Sequence, residues 1–212
     1  MKILILGAAG QIGSMLTERL LAETDHQLIL YARNAVRRLH IQEPYREKIV
    51  SGDFEDTATL AQAMQDVDLV FLNDMTYPEP TQNIIEVMKQ EKKSWIICAS
   101  VLGIYDEVVG EFGKWNVRMV GQRAVNRHKE SARIVEASGL HYTLLRLTWL
   151  YNQKGNENYE ISQKGEPFTG AQVTREAVVR LIMDILSDPE KYRNNSLGVV
   201  EPNTNWSKPS FY

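Results

Sequence analysis

Along the chain, short runs of apolar residues alternate with stretches in which apolar positions recur every three or four residues. The runs fall at Lys2 to Leu6, Gln27 to Tyr31, Lys48 to Ser51, Val67 to Leu72, Ser94 to Ala99 and His141 to Leu147. Their brevity and content predict buried strands. Between them the helical period predicts helices over Ile12 to Glu23, Ala35 to Leu39, Asp56 to Gln65 and Pro80 to Glu91, with a long one over Arg118 to Ser138. Asp56 and Thr57 suit the cap of the third helix, and Tyr77-Pro78-Glu79-Pro80 predicts an extended approach to the fourth. Gly139 follows the last periodic residue, where a helix stop belongs. Regular alternation of strand and helix predicts an α/β protein with a doubly wound parallel sheet, helices covering both faces.

The last third breaks this rhythm. Asn152 to Thr169 is polar and glycine-bearing, Thr174 to Ser187 reads as an amphipathic helix, and Ser196 to Val200 as a late strand. Too few residues remain for a second core, so 1–212 is expected to be one domain, with 147–212 contributing a small C-terminal cap on the substrate side. The tail from Pro202 carries Trp206, Pro209, Phe211 and Tyr212, which either pack over that cap, meet another subunit or fray. Right-handed crossovers would gather Gly7 to Gly13, Ala32 to Asn34, Gly52 to Phe54, Asn73 to Thr76, Ser100 to Tyr105 and Thr148 to Tyr151 on one edge of the sheet.

Composition narrows the function classes. With 212 residues, 43% hydrophobic, and a formal net charge of −3, the chain lacks the basic excess of a nucleic-acid binder. No apolar run reaches the ~18 residues of a membrane span, and the first residues form a core strand without a basic leader. The expectation is a cytoplasmic protein whose partner is a small molecule, not nucleic acid or membrane, and which acts as a monomer or homodimer. Cys98, the single cysteine, lies within Trp95-Ile96-Ile97-Cys98-Ala99 and reads as a small buried residue. His26, His40 and His141 have no second ligand at metal spacing, so no metal site is expected.

Candidate chemistry begins at Gly7-Ala8-Ala9-Gly10-Gln11-Ile12-Gly13, between the first strand and the first helix. In such a turn Gly7 reverses the backbone, Gly10 lets a diphosphate approach the main chain, and Gly13 lets the helix pack on the strand. The amides at the helix start, with the positive dipole end, face the phosphates. The spacing is G-x-x-G-x-x-G, so the strand and helix flanking it carry the reading as much as the glycines. About twenty positions on, where an NAD site carries an acid for the ribose 2′-hydroxyl, the chain has Tyr31-Ala32-Arg33-Asn34, then Arg37 and Arg38. Guanidinium groups suit a 2′-phosphate, which predicts NADP over NAD, unless the three arginines merely form a solvated cluster. Asp53, in Ser51-Gly52-Asp53-Phe54, either accepts from an adenine amino group or caps the next helix.

These segments, with Ser100, Lys129, Ser138-Gly139-Leu140, Tyr142-Thr143-Leu144-Leu145-Arg146 and Val173-Thr174-Arg175-Glu176-Ala177-Val178, resemble the short-chain dehydrogenase/reductase superfamily, in its atypical NmrA-like and epimerase/dehydratase-like branch. The resemblance covers about the first 150 residues and parts of the cap, and implies a Rossmann-like NAD(P)(H) site. It assigns cofactor contacts to Gly7, Ala9, Gly10, Gln11, Ile12, Gly13, Arg33, Arg37, Asp53, Phe54, Asn73 and Lys129. It also implies a catalytic Ser, Tyr and Lys. Ser100 and Lys129 match two of them, but four residues before Lys129 stands Val125, which has no proton to move.

Tyr105 and Tyr151 follow strand ends and are the candidate surrogates, Tyr105 the better placed, although either could be a packing residue. Ser100, Tyr105 and Lys129 are thus the expected catalytic set. His128, about 100° around the helix from Lys129, is expected at the surface. Arg146-Leu147-Thr148-Trp149 replaces the family's Arg-Pro-Gly, which alters the nicotinamide loop. Gly103 to Asn116, with three glycines, Tyr105, Phe112 and Trp115, reads as a mobile lid or an ordinary crossover. Two functions follow. One is an NADP(H)-dependent oxidoreductase acting on a small carbonyl, quinone or similar compound; the other is a non-catalytic dinucleotide-binding sensor.

Overall fold

The six runs stand side by side as strands, the inner ones too hydrophobic to leave either face in water and the edge run Lys48 to Ser51 half exposed. The computed structural model describes residues 1–212. In chain order the elements are β1 (Lys2–Leu6), α1 (Gln11–Glu23), β2 (Gln27–Ala32), α2 (Ala35–Arg38), β3 (Glu47–Ser51), α3 (Thr57–Met64), β4 (Leu69–Leu72), α4 (Pro78–Gln90) and β5 (Trp95–Val101). Then come α5 (Gly110–Val120), α6 (Gln122–Glu136), β6 (His141–Leu147), β7 (Trp149–Tyr151), β8 (Glu160–Ser162), β9 (Gln172–Thr174), α7 (Arg175–Ser187), α8 (Pro189–Tyr192) and β10 (Asn195–Val200). The main sheet has eight strands in the order β3-β2-β1-β4-β5-β6-β10-β8, and only β8 runs antiparallel to its neighbour. The fold is the Rossmann-like α/β sheet that the alternation predicts.

β1 lies between β2 and β4, with Ile3 level with Leu28 on one side and Leu69 on the other. Its side chains alternate: Ile3 and Ile5 enter a core shared with α1 and α7, while Leu4 and Leu6 enter a core shared with α3, α4 and α6. Chain order reverses between β1 and β4, so the sheet's crevice opens beyond their carboxyl ends.

Several boundaries differ from the expected ones. The long helix over Arg118 to Ser138 is two helices, α5 and α6, hinged at Gly121, whose φ of +80° is costly for any residue with a Cβ. α4 starts at Pro78, two residues earlier than expected, because proline in a first turn has no helical hydrogen bond to lose. The Gly103 to Asn116 segment is no mobile lid. Its last seven residues belong to α5, and its first are pinned by Glu107, whose carboxylate accepts from the amides of Gly103 (3.0 Å) and Tyr105 (2.8 Å) and from Arg146 Nη1 (2.9 Å). Asp56 caps α3 as expected, accepting from the Thr59 amide at 3.0 Å.

The final third divides between sheet and edge. β10 pairs parallel with β6, β8 closes on β10, and α7 packs in the same core as α1. Only the two-stranded β7–β9 pair and the tail stand clear of the main sheet. No helix is long and apolar enough to cross a membrane.

Candidate functional site

Beyond the carboxyl ends of β1 to β4 lies a cleft of about 530 Å³, lined by Gly7, Ala9, Gly10, Ala32, Arg33, Arg38, Gly52, Asp53, Phe54, Glu55, Asn73, Asp74, Thr76, Tyr77 and Pro80. Its floor is the glycine turn. Gly7 adopts φ +85°, and the Gly7 and Ala8 amides donate to Tyr31 O at 2.9 and 3.1 Å, fastening the turn to β2. Gly10 precedes α1 without any side-chain cap, and the helix has no acid in its first turn. The first-turn amides therefore stay free for an anion. The turn is also tight: a Cβ on Gly10 would come within 2.7 Å of Asn73 Nδ2, and one on Gly13 within 2.7 Å of Gly7 O. Asn73 itself donates through Nδ2 to Gly7 O at 3.2 Å, bracing the turn from β4. An uncapped helix start, bare of side chains and free of acids, fits a dinucleotide diphosphate.

The second wall is built from the ends of β2 and β3. The Tyr31 hydroxyl donates to Asp53 O at 2.7 Å and its ring stacks on Phe54 at 6.1 Å, which fixes the loop after β3. Burial pushes the Tyr31 phenol well above its ordinary range, so it stays a donor. Arg33 points over this loop, 3.9 Å from Asp53, and remains largely exposed. Arg38 reaches back across the mouth, its guanidinium donating to Arg33 O at 3.3 Å and Ala9 O at 3.5 Å. Arg37, the expected phosphate ligand, does not line the cleft, because one helical step turns it about 100° from Arg38. The sequence reading names Arg37; in the structure it is Arg38 that lines the cleft.

The expected catalytic residues do not converge on this cleft. Val125, at the Tyr position, is buried below Gly103, so the position is part of the core. Lys129 is half exposed and its Nζ is held by Asp106 at 3.0 Å. The Tyr105 hydroxyl donates to Glu136 Oε1 at 2.6 Å, and its ring lies beneath Lys164 and Arg146. Burial foremost, then Glu136, raises its pKa, so it gives up a proton less readily than a free tyrosine. Tyr151 is similarly engaged, donating to Glu201 Oε2 at 2.8 Å. Ser100 is buried at the end of β5 with its Oγ unpartnered.

His128 is half-buried: its Nδ1 is buried without a partner, and burial pulls its pKa down against the opposing pull of Asp74. Arg127 beside it stacks 4.7 Å over Tyr77 of the cleft wall. Cys98 is fully buried, and burial drives its thiol far above the reactive range.

Of the expected cofactor residues, Gly7, Ala9, Gly10, Arg33, Asp53, Phe54 and Asn73 line the cleft together. Ile12 and Gly13 lie beneath it in the first turn of α1, and the Gln11 side chain turns toward the β7 end, accepting from Asn152 Nδ2 at 3.0 Å. Asp74 and Thr76, on the edge that the crossovers predict, and Tyr77 and Pro80, which no motif places there, complete the wall after β4. A further group escaped the motifs. Trp115, Trp149 and Tyr212 meet at 4.9 to 5.2 Å beyond the end of β6, held by the Trp149 indole donating to Asn116 Oδ1 at 2.9 Å. Only the spacing of aromatics in α5 and the tail hinted at it.

Known proteins share this arrangement. A short-chain dehydrogenase/reductase (wide type) from Veillonella parvula DSM 2008, whose structure is in complex with NADP, is 35% identical over 99% of each chain, with a TM-score of 0.96. A Rossmann-fold NAD(P)-binding family protein from Shigella flexneri is 32% identical over 100% of this chain and 98% of its own, with a TM-score of 0.81. No curated protein matches the sequence. The model of the NAD(P)H-binding family spans residues 7–189, from the glycine turn through α7, and the chain belongs to that family, among the short-chain dehydrogenases/reductases.

Proposed function

We propose that the protein is an NADP(H)-dependent reductase of a conjugated carbonyl compound, a quinone being the simplest example. The observation that carries the cofactor choice is the pair Arg33 and Arg38 at the mouth beyond β2, where an NAD site needs a carboxylate. Two guanidinium groups offer a 2′-phosphate the paired, charge-assisted donors it requires. The Veillonella relative, crystallised with NADP, supports the same choice.

When bound, the nicotinamide supplies the hydride. The protein's own part is to hold the diphosphate on the α1 amides and to seat the adenosine between Phe54 and the arginines. A simple ketone reduced at this edge would leave an alkoxide in need of an acid, a contribution of ~10²–10⁴ in rate. Val125, Lys129 bound to Asp106, and Tyr105 bound to Glu136 leave no such acid in place. A conjugated acceptor spreads the incoming charge over its ring and takes its proton from water, which is why we favour one. The apolar Val125 also favours a second reading, a dinucleotide-binding sensor without turnover.

One assay separates them: calorimetric titration with NADPH and NADH, followed by NADPH oxidation with simple quinones and simple ketones. Tight NADPH binding with quinone turnover and little ketone turnover is the expected result. NADPH binding with no turnover of any acceptor selects the sensor, and a preference for NADH overturns the cofactor assignment.

A further inference from the structure

Arg175 opens α7 at the carboxyl end of β9, half-buried. One of its guanidinium nitrogens, Nη1, donates to Asn152 Oδ1 at 3.1 Å, and Asn152 Nδ2 donates onward to Gln11 Oε1 at 3.0 Å. Gln11 is the residue directly after Gly10 and the first of α1. Two hydrogen bonds thus tie this cation to the helix start whose free amides await a diphosphate.

The charge is uncompensated. No carboxylate forms an ion pair with Arg175, unlike Arg19, Arg146 or Arg180, each with a carboxylate within 3 Å. The adjacent Glu176 is turned away, its Oε2 accepting from the Gly155 amide at 2.7 Å. Burial alone acts on the Arg175 pKa, lowering it, with no acid to restore it. A half-buried guanidinium with one neutral acceptor leaves four of its five donors to solvent or to an incoming group. An anion brought to this point would meet charge-assisted, forked donors that need no reorganisation.

We propose that Arg175 is a diphosphate-binding residue, gripping the dinucleotide from the β7–β9 side opposite the glycine turn, with Asn152 holding the guanidinium aimed until the anion arrives. This rests on the reading of the cleft as an NADP(H) site. The cofactor is then held by cations at two separate points, Arg33 and Arg38 at the 2′-phosphate and Arg175 at the diphosphate. It also links the first turn of α7 to cofactor occupancy.

The test is calorimetric titration of the wild-type chain, Arg175→Gln and Arg175→Lys with three ligands: NADPH, adenosine 2′,5′-bisphosphate, which lacks the diphosphate, and inorganic pyrophosphate. Charge-assisted bonds of this kind convert to roughly a 10- to 100-fold change in affinity. Arg175→Gln is expected to weaken NADPH by that factor and to leave the adenosine bisphosphate within about twofold, with Arg175→Lys recovering part of the loss. Pyrophosphate should bind the wild-type chain more tightly than the Gln variant whether or not NADPH is the natural cofactor, so this arm stands if the functional reading fails. Equal pyrophosphate affinity in the two chains overturns the proposal. So does an unchanged NADPH affinity accompanied by a raised KM for the acceptor, which would assign Arg175 to a substrate anion. Thermal unfolding of each variant accompanies the titrations, and if the Gln variant does not fold, the Lys variant must still show a severalfold loss confined to NADPH and pyrophosphate.

Discussion

Arg33 and Arg38 do different work although both line the mouth of the cleft. Arg33 is solvated and shares its charge with Asp53 at 3.9 Å, while Arg38 is oriented by two backbone oxygens. Replacing either by Ala is expected to weaken NADPH by about tenfold or more and to leave NADH nearly unchanged, since charge-assisted bonds to a phosphate are worth ~1.5–3 kcal/mol. A titration in which Arg33→Ala and Arg38→Ala bind NADPH as the wild type does would remove the 2′-phosphate assignment. Gly10→Val makes a cleaner test of the turn. Gly10 sits at φ −79°, ψ 160°, a conformation valine adopts freely, so the substitution acts through contact: a Cβ would lie 2.7 Å from Asn73 Nδ2 and 3.3 Å from Gly7 O, displacing the Asn73 brace and closing the approach of the diphosphate. The variant should fold cooperatively with a lowered thermal midpoint and bind no dinucleotide. His128 offers a residue-scale prediction in pH. Its folded pKa lies below the unfolded value, so as pH falls through about 6.5 the unfolded chain takes up a proton that the folded chain refuses, and stability is lost. Urea unfolding of His128→Gln should therefore vary less between pH 5 and 7 than that of the wild type. His26 is shifted in the same direction, so some of the slope will remain in the variant.

At the scale of elements, β1, β2, β4, β5, β6, α1 and α7 were legible because each obeys one rule at a time: an apolar run for a strand covered on both faces, or one apolar stripe for a helix with one partner, whereas the half-exposed edge strand β3 showed only in Ile49 and Val50. The crossover after β5 was not legible because its order comes from a distant side chain. Arg146, next to last in β6, and Glu107, 39 residues earlier, form an ion pair with exposures of 0% and 4% that folds Gly103 to Glu107 back over β6. Glycines and aromatics there read as a lid, and nothing local reveals the clamp. The same clamp turns Tyr105 toward Glu136, whose carboxylate accepts its hydroxyl, a placement that nothing in the local sequence announces. Similarly, Arg37 and Arg38 are indistinguishable until α2 turns one of them inward. Removing one partner of so buried a pair typically costs about 3–5 kcal/mol, because the other charge is stranded. Glu107→Gln should lower stability by that amount in urea unfolding, and pairing it with Arg146→Met should restore much of the loss. A single-variant cost under 1 kcal/mol would mean that water already reaches the pair.

For the whole molecule, the question is whether the last third is an appendage or part of the fold. The sequence reads 147–212 as a small cap, and the pattern that suggested it is real: a polar loop, a lone helix and a short strand. Their destinations argue for something more integral. α7 buries Val178, Val179, Leu181, Ile182 and Ile185 in the core that also holds Ile3, Ile5 and Leu16, and β10 covers the edge of β6 that would otherwise stand open. At ~1.5–3 kcal/mol for each large aliphatic side chain fully buried, those five residues contribute on the order of 10 kcal/mol, comparable to the ~5–15 kcal/mol that holds a whole domain together. A chain cut after Tyr151 keeps the glycine turn, the arginines and all of the cleft wall, yet it exposes that core and leaves β6 as an unpaired apolar edge. It should show no cooperative unfolding transition, bind NADPH not at all and aggregate on concentration. If instead it melts cooperatively and binds NADPH, residues 1–151 are a self-sufficient nucleotide domain and the remainder is a true cap. The same outcome would free α7 to move on the domain, and Arg175 with it, so that the grip on the diphosphate would become a closure made only when the cofactor is present.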